Sequence, residues 1–189
     1  MQKTFTVKHN NNAPNKNYKT YQGYYILRKP EKYIGDPNKI VFRSGWEKRF
    51  CEWCEFNPDI IKWSSEPIAI KYYNKIATLK ECQKYNLNPN SPANWKLSNY
   101  YVDFWLEIRK IDGSIEKWLI EIKPASQCKK PTPPPANAKI RDYRRYNKEA
   151  QEWIVNSEKW KSAKKFAEEN NCKFFVFTED ILSKLGIIK

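Results

Sequence analysis

Histidine is almost missing from this chain: His9 is the only one. That argues against acid–base chemistry built on imidazole and against a His-rich metal site. Cysteine is scarce and unpaired in pattern. The five cysteines are scattered, and Cys51-x-x-Cys54 has no second Cys/His pair at zinc spacing. Cys51 and Cys54 therefore read as small packing residues of a helix, and the thiols as reduced and intracellular. No apolar run reaches the ~20 residues needed to cross a bilayer. The polar, Asn-rich start has no signal-peptide core, so a secreted protein is not expected. Acidic residues are also in deficit: 21 Asp and Glu stand against 35 Lys and Arg, a formal net charge of +14. Such an excess favours a polyanionic partner, and with no amphipathic membrane anchor evident, nucleic acid is preferred over a lipid surface.

What is present centres on Tyr101-Val102-Asp103-Phe104-Trp105 and, further on, Glu121-Ile122-Lys123. Over residues 100–109 the even positions Val102, Phe104, Leu106 and Ile108 are apolar, whereas Asp103, Glu107 and Arg109 are polar; this is the alternation of a half-buried strand. Residues 115–123 continue it, with Trp118, Ile120 and Ile122 on one face and Lys117, Glu121 and Lys123 on the other. The turn between them decides the register. A two-residue loop at Asp112-Gly113 would pair Asp103 with Ile122 and separate the two acids. A three-residue loop, Ile111-Asp112-Gly113 with Gly113 left-handed, pairs Lys110 with Ser114, Glu107 with Lys117 and Asp103 with Glu121. The three-residue loop is expected, because it keeps the large apolar residues together. Two facing carboxylates repel unless a divalent cation uses both as hard oxygen ligands. A neighbouring lysine could then hold water or offset charge on a phosphate. The spacing alone is also met by a solvated strand face on which Lys123 neutralises both acids.

Around this centre the chain reads as one domain with a polar arm. Residues 1–38 form the arm and 39–189 the domain, with an insertion at 74–98 and a Pro-rich connector at 124–137. Ser44 can cap a helix over 45–56, ended by Asn57-Pro58, with Glu47 in its first turn. Glu47 is either a dipole-favoured surface acid or a third carboxylate of the strand site. Residues 60–63 and 67–73 read as strands, with Glu66 at a bend between them. Residues 74–98 show no clear period beyond a short helix near 79–84. Five prolines over 124–137 make an extended connector. Helices follow over 138–155 and from Ser157 to about Asn170, separated at Asn156-Ser157. A buried strand over 173–178 and a short helix ended by Gly186 complete the order. This is an α/β or α+β domain, a mixed sheet flanked by helices.

A helix Glu, then Asp, then Glu-x-Lys on adjacent strands resembles the PD-(D/E)XK nuclease core, here Glu47, Asp103, Glu121 and Lys123, with Val102 where a proline often precedes the Asp. A more specific resemblance covers roughly residues 33–187. Tyr33-Ile34-Gly35-Asp36, Arg43-Ser44-Gly45-Trp46-Glu47, Ile61-Lys62-Trp63-Ser64-Ser65-Glu66, Asp103-Phe104-Trp105, Ile120-Glu121-Ile122-Lys123-Pro124, Trp153 through Trp160 and Thr178-Glu179-Asp180 are similar, in order, to the head completion nucleases of T-even-like tailed phages. The endonuclease subunit of Tn7-type transposons is a more distant relative. The 74–98 segment and the N-terminal arm are longer than the family pattern.

The resemblance implies a restriction-endonuclease-like fold and a Mg²⁺-dependent deoxyribonuclease, with Mn²⁺ as a substitute. It would act on double-stranded DNA after packaging so that filled heads join tails, in the virion head or neck and in the host cytoplasm during assembly, with portal or neck proteins as further partners and no membrane. Asp103, Glu121 and the Ile122 carbonyl would hold the metal, Glu47 would complete the shell, and Lys123 would position water. Arg141, Arg144, Arg145 and Lys148, then Lys161, Lys164 and Lys165, are the expected phosphate contacts. The alternatives are a non-catalytic connector that binds DNA or portal, and a nuclease of transposition or restriction.

Overall fold

The computed structural model describes residues 21–189. The greater part of the expected polar arm, including His9, lies outside the described residues. Residues 21–38, which sequence assigned to the arm, pack on the domain instead. β1 (Gly23–Tyr24) pairs with β2 (Val41–Phe42), Tyr25 is buried, and Tyr33 bridges to Trp63. One carboxylate holds this segment down. Glu55 is 0 % exposed, and it accepts hydrogen bonds from the Tyr25 hydroxyl and from the backbone N–H groups of Arg28 and Lys29. A buried charge is tolerated only with such donors.

Helix α1 (Gly45–Phe56) begins where Ser44 predicted, with the Ser44 hydroxyl accepting from the Glu47 N–H at 3.1 Å. It ends at Asn57. Its inner face sends Phe50, Cys51 and Cys54 into the core, where both thiols are free and fully buried. The central sheet has four strands in the order β3-β6-β7-β8: β3 (Ile60–Ser65), β6 (Phe104–Arg109), β7 (Ile115–Ile122) and β8 (Lys173–Phe177). β6 and β7 are antiparallel, and β7 and β8 are parallel. The hairpin has the three-residue loop. Phe104 pairs with Ile120, the Lys110 N–H bonds the Ser114 carbonyl at 2.8 Å, and Gly113 has φ +82°.

The expected continuous strand over 100–109 is two strands. β5 (Leu97–Tyr101) leaves the central sheet to pair with β4 (Ala69–Tyr73), and the chain turns at Val102-Asp103 before β6. The sheet is also covered on both faces, not one. Phe104, Leu106, Ile120 and Ile122 meet α1 on one side, while Trp105 and Leu119 form a second cluster with Val102, Tyr100, Ala163 and Ala167 on the other. The alternation that signalled a half-buried strand is therefore weaker than the burial it accompanies, because Trp105 and Leu119 already occupy the second face.

Two helices also differ from expectation. The 74–98 segment holds α2 (Lys75–Tyr85), capped by the Asn74 side chain and ended by left-handed Asn86, so it is largely structured. Its low amphipathicity hid it from periodicity. The basic segment is one continuous helix, α3 (Ile140–Glu169), with no break at Asn156-Ser157. Asn156 is buried inside it, and the Ser157 hydroxyl satisfies itself on the Trp153 carbonyl one turn back. A last helix, α4 (Glu179–Lys184), follows β8. No helix of the described residues is long and apolar enough to cross a membrane.

Candidate active site

The site forms where β5 breaks away from β6, at the end of β7. Continuing the β6–β7 register one step past Phe104 and Ile120 sets Asp103 opposite Glu121. Asp103 is fixed by its backbone and its side chain together: its carbonyl accepts from the Glu66 N–H at 2.9 Å, and its Oδ2 from the Ile122 N–H at 2.7 Å. Glu121 is 2 % exposed, and both its oxygens are engaged. Oε2 accepts from the Tyr100 hydroxyl at 2.6 Å, and Oε1 lies 3.0 Å from Lys123 Nζ. The β5–β6 break is what lets Tyr100 reach across to Glu121. Lys123 is placed by its own N–H bonding the Phe177 carbonyl of β8 at 3.0 Å, just before Pro124 ends the strand.

The electrostatics follow from this crowding. Burial, then the facing Glu121 charge, push the Asp103 carboxyl well above its usual range, against the pull of Lys123. Burial by itself would lower the Lys123 ammonium, but Asp103 and Glu121 outweigh it and raise it, so Lys123 is cationic here. Burial and the same two acids raise the Tyr100 phenol, which therefore keeps its proton and donates it to Glu121. Glu47 faces this group from the first turn of α1. Its carboxylate is also the far half of a capping arrangement, accepting from the Arg43 N–H at 2.7 Å and the Ser44 hydroxyl at 3.0 Å. Burial raises the Glu47 carboxyl, partly offset by those donors and by Lys123. Glu66, at a left-handed bend with φ +45°, is paired through both oxygens with Arg43 at 2.7 and 3.2 Å, so it serves the scaffold.

Of the expected site residues, Asp103, Glu121, Ile122 and Lys123 are brought together, and Glu47 stands beside them, tied to the helix start. Among the described residues no three His, Cys, Asp or Glu side chains form a ready metal cluster. The fit to a divalent cation rests on the Asp103–Glu121 pair: two facing hard-oxygen ligands, one held in an environment that disfavours its charge.

Sequence reading missed Tyr100, whose place could not be seen while 100–109 was one strand. It also missed Lys159 and Gln127, which line one cavity of about 440 Å³ with Lys123, Gln151, Glu152 and Asn156. The signal for Lys159 lay in helical phase. Arg141, Arg145, Lys148, Glu152, Asn156, Lys159 and Ala163 succeed one another at steps of three or four residues, one stripe of α3. From Asn156 onward this stripe packs on the sheet. Over Ile140–Glu152 no residue is buried, so the stripe runs past the strand ends, for about 20 Å at 1.5 Å per residue. Because β7 and β8 are parallel, α3 returns antiparallel to them, and its N-terminal half, flanked by the Pro-rich segment through the Tyr143 hydroxyl and the Pro135 carbonyl, extends from the β7 end that carries Glu121 and Lys123. Arg141, Arg145 and Lys148 lie on that stripe, and Arg144 is one turn from Lys148. Lys161, Lys164 and Lys165 point away from it. The expected basic set is thus split between two faces.

Comparison with known proteins bears on the family of the chain. The family described as "TnsA-like endonuclease N terminal" matches residues 57–179. The head completion nuclease of Enterobacteria phage T4 is 37 % identical over 166 residues, covering 88 % of this chain and 96 % of that protein.

Proposed function

Because the chain belongs to the TnsA-like endonuclease family and is similar over most of its length to the phage T4 head completion nuclease, we propose that it is a metal-dependent deoxyribonuclease of phage head completion, hydrolysing phosphodiester bonds at Asp103, Glu121 and Lys123. The observation that carries this reading is the buried Glu121, facing Asp103 and shared between Lys123 and Tyr100. So costly an arrangement of like charges is unusual for structure alone.

Asp103 and Glu121 would hold Mg²⁺ or Mn²⁺, with the Ile122 carbonyl as a third oxygen and Glu47 reaching the shell directly or through water. When bound, the ion supplies Lewis-acid stabilisation of phosphoryl charge and a more acidic water. Lys123, fixed by Glu121 and cationic, orients the attacking water and offsets charge developing on the phosphate. Tyr100 holds Glu121 in place. Arg141, Arg144, Arg145 and Lys148, on the N-terminal half of α3, take DNA backbone phosphates beside the site. Lys161, Lys164 and Lys165 are a lesser part of that surface. The contacts are backbone-directed, since no base-reading motif is evident.

The substrate is double-stranded DNA at the portal of a filled head, and trimming it there would prepare the head for its tail. Parallel digestion of linear duplex, covalently closed duplex and DNA-filled heads with an exposed end tests this. Cleavage of linear duplex and of the exposed end of filled heads supports the reading. Binding without cleavage of any substrate would favour a connector role.

A further inference from the structure

Lys159 carries a positive charge for which the site's own acids have no evident use. It sits on α3 with Nζ over two tyrosine rings, 5.4 Å from the Tyr100 centroid and 5.9 Å from that of Tyr72. It lines the same cavity as Lys123 and Gln127. No carboxylate of the described residues lies within ion-pair distance of it. The acids nearby are already occupied. Glu121 is shared by Lys123 and Tyr100, Asp103 Oδ2 accepts from Ile122, Glu158 pairs with Lys75 at 2.5 Å, and Glu152 is 3.9 Å from Lys148. A cation merely balancing the carboxylates would be expected to join one of them.

Burial pulls the Lys159 ammonium down, Lys123 adds to that pull, and Glu121 and Asp103 resist it. The tyrosine faces stabilise a cation without neutralising it, as cation–π contacts do. The result is an ammonium seated on aromatic faces, its charge still available to an anion entering the cavity. Lys123 approaches that cavity from the end of β7 and Lys159 from α3, so an anion between them meets positive charge from two elements.

We infer that Lys159 is a second phosphate-binding cation of the active site, contacting an oxygen of the DNA backbone phosphate across the cavity from Lys123. This rests on the nuclease reading for the identity of the anion. It also gives the α3 stripe a continuous role: Lys159 grips at the site, and Arg145, Lys148 and Arg141 follow the strand outward along the same face.

The test separates binding from cleavage. In an Asp103→Asn background, which blocks hydrolysis, duplex binding is titrated against salt with Lys159 intact, Lys159→Met and Lys159→Arg. Removing one cation that neutralises a phosphate lowers the slope of log affinity against log salt by ~0.9. The Met variant should show that decrease and the Arg variant should not. In the otherwise native chain, Lys159→Met should raise KM about tenfold with a smaller change in kcat, the mark of weakened substrate binding, and Lys159→Arg should restore it. If the Met variant does not fold, Lys159→Gln, which keeps a polar head in the cavity, replaces it. An unchanged salt slope and KM would overturn the proposal, even if kcat falls, because a purely structural lysine would behave that way. Should the native chain bind DNA but not cut it, the salt slope still decides Lys159, and the missing cleavage counts against the nuclease reading alone.

Discussion

Glu121 and Tyr100 sit on strands of different sheets, yet the Tyr100 hydroxyl donates to Glu121 Oε2 at 2.6 Å. The contact exists because β5 departs from β6 at Val102-Asp103. The same departure frees Asp103 from regular pairing and lets its Oδ2 take the Ile122 N–H. Sheet topology and site assembly are therefore one event. Tyr100→Phe keeps the ring under Lys159 and removes only the hydroxyl. It should cost about 1–2 kcal/mol of stability and roughly tenfold in cleavage by loosening Glu121. Chemical unfolding and initial rates on linear DNA check both.

Lys123→Met leaves Glu121, only 2 % exposed, without its countercharge. Breaking a buried pair from one side costs about 3–5 kcal/mol, moderated here because Tyr100 still donates. Cleavage should fall about 10²–10⁴-fold. Pairing the change with Glu121→Gln should return much of the stability and none of the activity, which unfolding midpoints and a parallel cleavage assay would show.

Glu47 joins helix start and site. Glu47→Gln keeps one oxygen for the Arg43 N–H, and its amide NH2 can donate to the Ser44 hydroxyl where the second carboxylate oxygen had accepted, so the loss of stability should stay at about 1 kcal/mol. The negative charge beside Lys123 disappears, and cleavage should drop much more than stability. Equal, small losses in both would reduce Glu47 to a cap.

The basic residues of α3 divide by face, and charge reversal separates them. Reversing Arg141, Arg145 and Lys148 together should weaken DNA binding strongly and flatten its salt dependence by ~0.9 for each phosphate no longer neutralised. Reversing Lys161, Lys164 and Lys165 should do clearly less. Anisotropy titrations over a salt series provide the comparison.

Much of this arrangement was legible beforehand. Cross-strand pairing and a Gly-containing loop set the hairpin register, which depends on local chemistry, and so Asp103 opposite Glu121 could be counted out residue by residue. The Ser44 cap and the Asn57-Pro58 stop marked α1 for the same reason. What could not be read depends on distant partners. The alternation over residues 100–109 gave no sign that β5 would leave to pair with β4, because a strand's partner is not encoded in its own period. Asn156-Ser157 looked like a helix break by propensity, and tertiary burial of Asn156 with the Ser157–Trp153 bond overrode it. With the helix divided there, Lys159 fell in the second of two supposed helices, and its phase with Arg145 and Lys148 could not be followed across the division. The polar arm was drawn too long because Glu55, whose buried carboxylate holds residues 25–29, looks like any surface acid of a helix.

Hydrolysis of DNA at the Asp103–Glu121–Lys123 centre with a divalent ion is decided by one assay above the others. Cleavage of linear duplex is followed with Mg²⁺, with EDTA, and for Asp103→Ala purified in parallel, all with folded protein. Cutting is expected with Mg²⁺, with none in EDTA and none by the variant despite retained folding. Equal cutting by Asp103→Ala, or none by the folded native chain with any divalent ion, would contradict a metal-dependent nuclease at this centre.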